Sequence, residues 1–135
     1  MRNRIVWLLL SAIVLTACSG IPRRASDEKE LARYQPYTGE PIREFSTMPG
    51  ISGWNSLSDD KLVVWTGINN AYLLTVAQPC SNLAFTNSIG ISSMTSRIST
   101  FDFVRVRGGE RCPITEIRPI DYRRMQADLR AKNAR

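Results

Sequence analysis

At 135 residues, with 43% hydrophobic and 22% charged side chains, the chain sits among globular rather than disordered proteins and is long enough for one core. Its formal net charge is +6, of which Arg2 and Arg4 supply two; from Cys18 onward 16 basic residues face 12 acidic ones, leaving +4, too little to mark a nucleic-acid binder. There is no histidine, which removes the commonest general base near neutral pH and with it Ser-His, Cys-His and His-metal chemistries.

In chain order, residues 1–17 carry the marks of an export signal. Arg2 and Arg4 form a short positive region, Ile5 to Leu15 is apolar but for Ser11 and the small Ala12, and Thr16 and Ala17 are the small residues a peptidase needs. The apolar run is too short to span a bilayer, which takes about 20 residues. Leu15-Thr16-Ala17-Cys18 resembles the lipobox of bacterial lipoproteins. That resemblance implies cleavage before Cys18, a diacylglyceryl group on its thiol and acylation of its new amine. A buried free thiol behind a signal-anchor is the alternative. Each buried acyl methylene contributes about 0.8 kcal/mol, so the lipid holds the protein on a membrane with no spanning helix. Ser19 follows the cysteine where aspartate would favour inner-membrane retention, so the expected location is the outer membrane, facing the periplasm.

Residues 18–41 are expected to be a lipidated N-terminus and flexible tether: large apolar side chains are few, and Pro22, Pro36 and Pro41 interrupt them. Within this stretch Asp27 and Glu30 match a capping box, with Leu31 and Tyr34 on one face of a short helix.

A small β domain is expected over 42–122. Leu62-Val63-Val64-Trp65 and Ala71-Tyr72-Leu73-Leu74-Thr75-Val76, joined by Gly67-Ile68-Asn69-Asn70, form a hairpin with Tyr72, Leu74 and Val76 on one face. Apolar residues at successive positions predict that this hairpin is covered on both sides. Ile89-Gly90-Ile91 suggests a further strand. A second hairpin turns at Gly108-Gly109 between Phe101–Arg107 and Arg111–Arg118, where Asp102, Arg105, Arg107, Glu116 and Arg118 mark exposed or cross-strand paired positions. Asp121 is placed to cap a helix whose Tyr122, Met125 and Leu129 share a face, and residues 123–135 form its basic end. The expected fold is mostly β, a small α+β domain with an antiparallel sheet or partly closed barrel of about 5 to 6 short strands, a C-terminal helix and one disulfide.

With Cys18 acylated, Cys80 and Cys112 remain as an even pair in an oxidising compartment, and a structural disulfide is expected. A redox-active or metal-binding pair is the alternative, but there is no CxxC spacing and no histidine to complete a zinc site. No metal or other cofactor is expected.

The segments around Trp54 and Leu57, together with AYLLTV at 71–76, PCSNLAF at 79–85, IGIS at 89–92 and FDFVRVRGGERCPITEIRPID at 101–121, resemble a family of small proteobacterial lipoproteins catalogued as a domain of unknown function. The resemblance covers about residues 42–122. It implies an envelope location and a Cys80–Cys112 pair, and it transfers no catalytic residue.

Chemistry-bearing motifs are sparse. Ser58-x-x-Lys61 matches the S-x-x-K spacing of penicillin-recognising enzymes but falls in a turn before a strand, with no KTG partner. Asp59, Asp60, Asp102 and Glu116 offer carboxylates for acid and base, although adjacent Asp59 and Asp60 are more simply turn formers. The mixture of arginines with Phe101, Phe103 and Tyr122 is explained by ion pairing rather than nucleic acid. The expectation is a non-enzymatic binding or accessory module contacting another envelope component, with Trp54, Trp65, Tyr72, Arg118, Arg123 and Arg124 as candidate contacts. A structural protein binding anionic lipid or peptidoglycan, and a hydrolase of unrecognised type, are the alternatives.

Overall fold

The computed structural model describes residues 23–135; Cys18 and the expected signal lie outside them. Helix α1 spans Arg23–Tyr34 and runs into a 3-10 turn at Gln35–Tyr37. Eight strands follow: β1 (Glu44–Ser46), β2 (Gly53–Ser56), β3 (Lys61–Trp65), β4 (Asn70–Val76), β5 (Ile89–Ile91), β6 (Arg97–Ser99), β7 (Phe103–Val106) and β8 (Arg111–Asp121), before helix α2 (Tyr122–Asn133).

Six strands form one antiparallel sheet in the order β2-β3-β4-β8-β7-β5, and β1 pairs with β6 in a separate ribbon. The 11-residue β8 organises the sheet. Its first residues pair with β7 and the remainder with β4, across a register shift at Thr75/Val76, so the sheet curls into a half-barrel. Gly108 and Gly109, with φ of 88° and 81°, make the β7–β8 turn; two successive residues in that region explain why both are glycine.

Both faces of the central hairpin are buried. Leu62, Val64, Leu74 and Val76 join Phe45, Ile98, Val104 and Ile114 in a core between the sheet and the β1–β6 ribbon, with Tyr72 packed at its margin. Val63, Ala71 and Leu73 point to the other face, where Tyr34 and Met125 from the two helices cover them. The expected alternation on β4 is therefore present, and the continuous apolar run of β3 reflects two covered faces.

Cys80 and Cys112 are joined by a disulfide, with Cα atoms 5.7 Å apart, and both are fully buried. Asp121 caps α2 by accepting a hydrogen bond from the Arg124 backbone N–H at 3.1 Å. Met125 of that helix is buried, and Tyr122 and Leu129 pack beside it.

Of the stretch expected as a flexible tether, 18–41, residues 18–22 lie outside the described residues and residues 23–41 are held to the fold. From Arg23 the chain is helical, and Tyr34 is only 8% exposed against the sheet. Thr38 and Ile42 then form isolated bridges to Ile120 and Ile117 of β8. Asp27 lies inside α1 rather than at its cap, because the helix starts at Arg23. Leu31, Tyr34 and Tyr37 supply the apolar face that holds this segment down, and prolines elsewhere in it obscured that pattern.

Candidate functional site

The three aromatic candidates are partly buried and pack against the two cores. Tyr72 stacks on Phe45 with ring centroids 3.9 Å apart. Trp54 packs partly buried against the core on the same side of the sheet. Trp65 meets Tyr122 edge-on at 6.0 Å, and its buried indole N–H has no hydrogen-bond partner among the described residues.

Arg118 is also occupied. Its Nε and one terminal nitrogen donate to the two Glu116 carboxylate oxygens at 2.8 and 3.3 Å, and the other terminal nitrogen donates to the Gly39 carbonyl at 3.4 Å. The pair lies within one strand, two residues apart, at positions expected to be exposed or cross-strand paired. Hydrogen bonding from Arg118 holds the Glu116 carboxyl below its ordinary pKa, and Glu116 in turn raises that of Arg118. A cross-strand ion pair between Arg97 and Glu44 joins the β1–β6 ribbon.

The S-x-x-K residues meet at the carboxylate between them. Ser58 Oγ donates to one oxygen of Asp60 at 2.7 Å and Lys61 Nζ to the other at 2.6 Å, so both converge on Asp60. Burial pushes the Asp60 carboxyl up, but the hydrogen bonds from Lys61 and Ser58 outweigh it and hold the group below its usual range. The Glu110 carboxylate lies near both cysteine sulfurs but accepts the N–H groups of Ser81 and Asn82, each at 3.1 Å, and so ties down the loop beside the disulfide. Sulfurs bonded to each other are not thiolate ligands.

Arg123 and Arg124 remain exposed on α2. Arg124 reaches over the Tyr37 ring, 5.7 Å from its centroid, while the Tyr37 hydroxyl donates to Asp128 at 2.8 Å and links the segment after α1 to α2. Arg123 faces the β3–β4 turn. Together with Arg130 and Gln126 of α2 and Ile68 and Asn69 of the turn, it lines a shallow cleft of about 450 Å³ whose lining holds two arginines and no carboxylate among the described residues. Helical spacing makes this possible, since positions 123, 126, 127 and 130 share one face.

Ile68 stands 87% exposed at the tip. The turn beneath it is pinned: Ser52 Oγ accepts the Gly67 N–H at 3.1 Å and lies 3.2 Å from the carbonyls of both Trp65 and Gly67. In the sequence Ile68 reads only as a turn residue; the signal of a further role is a large aliphatic side chain between a glycine and two asparagines.

The cleft lies at one pole of the sheet. At the opposite end of the β3–β4 hairpin, Asp27 and Glu28 of α1 share a cleft of about 630 Å³ with Asp59 and Asp60 of the β2–β3 turn and with Gln78. Helix α1 therefore begins at the pole away from Ile68. No helix among the described residues is long and apolar enough to cross a membrane.

No curated protein and no solved structure matches the chain. The family model of DUF6491, a family of unknown function, matches residues 1–135, and the chain belongs to that family.

Proposed function

We propose that the protein is a bacterial envelope lipoprotein, anchored through an acylated Cys18 to the outer membrane and facing the periplasm. There it works as a non-enzymatic binding or accessory module. Its contact surface is the cleft of Ile68, Arg123, Gln126 and Arg130, and its partner is an acidic surface of another envelope protein. The observation that carries this reading is the pairing of two arginines with an exposed aliphatic residue in a cleft whose lining holds no carboxylate. Apolar contact supplies affinity and the guanidinium groups supply orientation and encounter rate. The start of α1 at the other pole supports a partner over the protein's own membrane, because an anchor there leaves the cleft facing away from the bilayer.

Mild crosslinking in intact envelopes, with captured species identified by mass spectrometry, tests the proposal. The comparison is between the parent chain and Arg123→Glu with Arg130→Glu. A discrete protein captured by the parent and reduced at least about tenfold by the reversals, equivalent to about 1.4 kcal/mol, supports it. Capture that the reversals leave unchanged, or recovery only of lipid and cell-wall fragments, overturns it; the latter favours the structural lipid- or peptidoglycan-binding alternative.

A further inference from the structure

Two large apolar side chains stand almost wholly in solvent on neighbouring loops. Phe101, between β6 and β7, is 97% exposed, and Met94, between β5 and β6, is 99% exposed. They line one open groove of about 590 Å³ with Phe103, Arg97 and Arg105. The loops are built to hold this presentation. The Asp102 carboxylate accepts hydrogen bonds from the Ser99 N–H at 2.9 Å, the Ser99 hydroxyl at 3.0 Å and the Ser92 hydroxyl at 3.1 Å, while Ser92 Oγ accepts the Phe103 N–H at 3.0 Å. The Ser93 hydroxyl bonds the carbonyls of Thr95 and Arg97. Apolar tips fixed outward in this way mark a contact surface.

The surroundings are cationic. Arg105 and Arg111 lie over the Phe103 ring, 5.7 and 4.8 Å from its centroid, and Arg107 is exposed on the same hairpin. The two carboxylates of the groove are engaged internally, Glu44 with Arg97 and Asp102 with the serines. A pair of protruding apolar tips within a girdle of arginines is complementary to a membrane interface, where acyl chains receive the tips and anionic headgroups receive the guanidinium groups.

Register places this surface at a particular end of the molecule. The Val76 N–H donates to the Asp60 carbonyl at 2.8 Å, the Ala77 N–H to Pro113 at 2.8 Å, and the Ile114 N–H to Asp102 at 2.9 Å. One line of backbone hydrogen bonds thus runs from the β2–β3 turn, where α1 begins, to the Phe101 loop. Both lie level with residues 113–116 of β8, away from Asp121, beside which the Ile68 turn enters β4.

We infer that Phe101 and Met94 insert into the interface of a phospholipid bilayer with anionic headgroups, seating the domain on its membrane and turning the Ile68–Arg130 cleft outward. The orientation rests on the proposed anchor at Cys18; the insertion rests on the exposed tips and their arginines.

The full chain carrying Phe101→Trp, incubated with vesicles of phosphatidylglycerol and phosphatidylethanolamine, tests this by co-sedimentation and by emission measured as a difference from the parent chain. The expected result is a blue shift of the introduced tryptophan with quenching by brominated acyl chains, both weakened by Arg105→Glu with Arg111→Glu. A chain that sediments with vesicles while the introduced tryptophan stays unshifted overturns insertion and leaves the anchor standing. A chain that does not sediment at all overturns both. A shift that appears without vesicles and grows with protein concentration also overturns insertion, assigning the tips to a second copy.

Discussion

Asp60 shows how a residue suited to catalysis by type can be committed to structure by its neighbours. Its two oxygens are held by Ser58 and Lys61, and its backbone carbonyl accepts the Val76 N–H, so the group closes the β2–β3 turn onto β4. Asp60 and Glu116 both bind a proton less readily in the folded chain than in the unfolded one. Their contribution to stability is therefore complete above the unfolded carboxylate range, about pH 4, and is lost as pH falls through the lower folded values. Asp60→Asn is expected to cost about 1 kcal/mol near neutral pH and to flatten the acid limb of stability against pH, measured by urea unfolding across pH 2 to 7. Glu116→Gln, at a more exposed pair, should cost no more than about 0.5 kcal/mol. None of these partnerships is a property of residue type alone. Ser58-x-x-Lys61 was legible as a spacing, but the carboxylate between its members decides what the spacing does.

Among the elements, α2 has to serve two surfaces at once. One face buries Met125 against β4 and β8, and another presents Arg123 and Arg130 to the cleft. Removing the chain after Asp121 would strip both, together with the Asp128 partner of Tyr37, so charge reversal separates binding from folding where truncation does not. Met125→Ala should destabilise by about 2 to 4 kcal/mol and Asp121→Ala by about 1 kcal/mol, read from shifts in the urea midpoint at constant slope. Both elements of this helix were visible in sequence, because the cap is a local interaction and the Tyr122, Met125, Leu129 face is a local periodicity. Helix α1 was less legible. Its start was misplaced because a capping-box match at Asp27 satisfies a local rule that the longer helix overrides, and its apolar residues gain their role only from the sheet they cover.

In the whole molecule, the disulfide links two parts of the fold that sequence order keeps 32 residues apart: the loop after β4 and the start of β8. Closing a loop of that size contributes about 3 to 4 kcal/mol in the chain-entropy view, a large share of the stability of so small a domain. Replacing both cysteines by serine should lower unfolding free energy by that amount, and the parent chain handled without reductant should show no alkylatable thiol at Cys80 or Cys112. Two freely alkylated thiols there would contradict the pairing. Short-range physics is enough to read directly from the residues a mostly β chain, two hairpins with glycine in their turns, the double-sided burial of β3 and β4, the cap of α2 and an even pair of cysteines. Tertiary structure alone decided that β8 joins both hairpins into one curled sheet, that the β1–β6 ribbon closes one core, and that Trp54, Trp65 and Tyr72 pack inward. It also decided that Ile68 meets Arg123 at one pole while Phe101 and Met94 stand out together on a groove beside β7. Those outcomes depend on contacts between residues far apart along the chain, where hydrophobic pattern specifies that a face is buried but not which distant face will bury it.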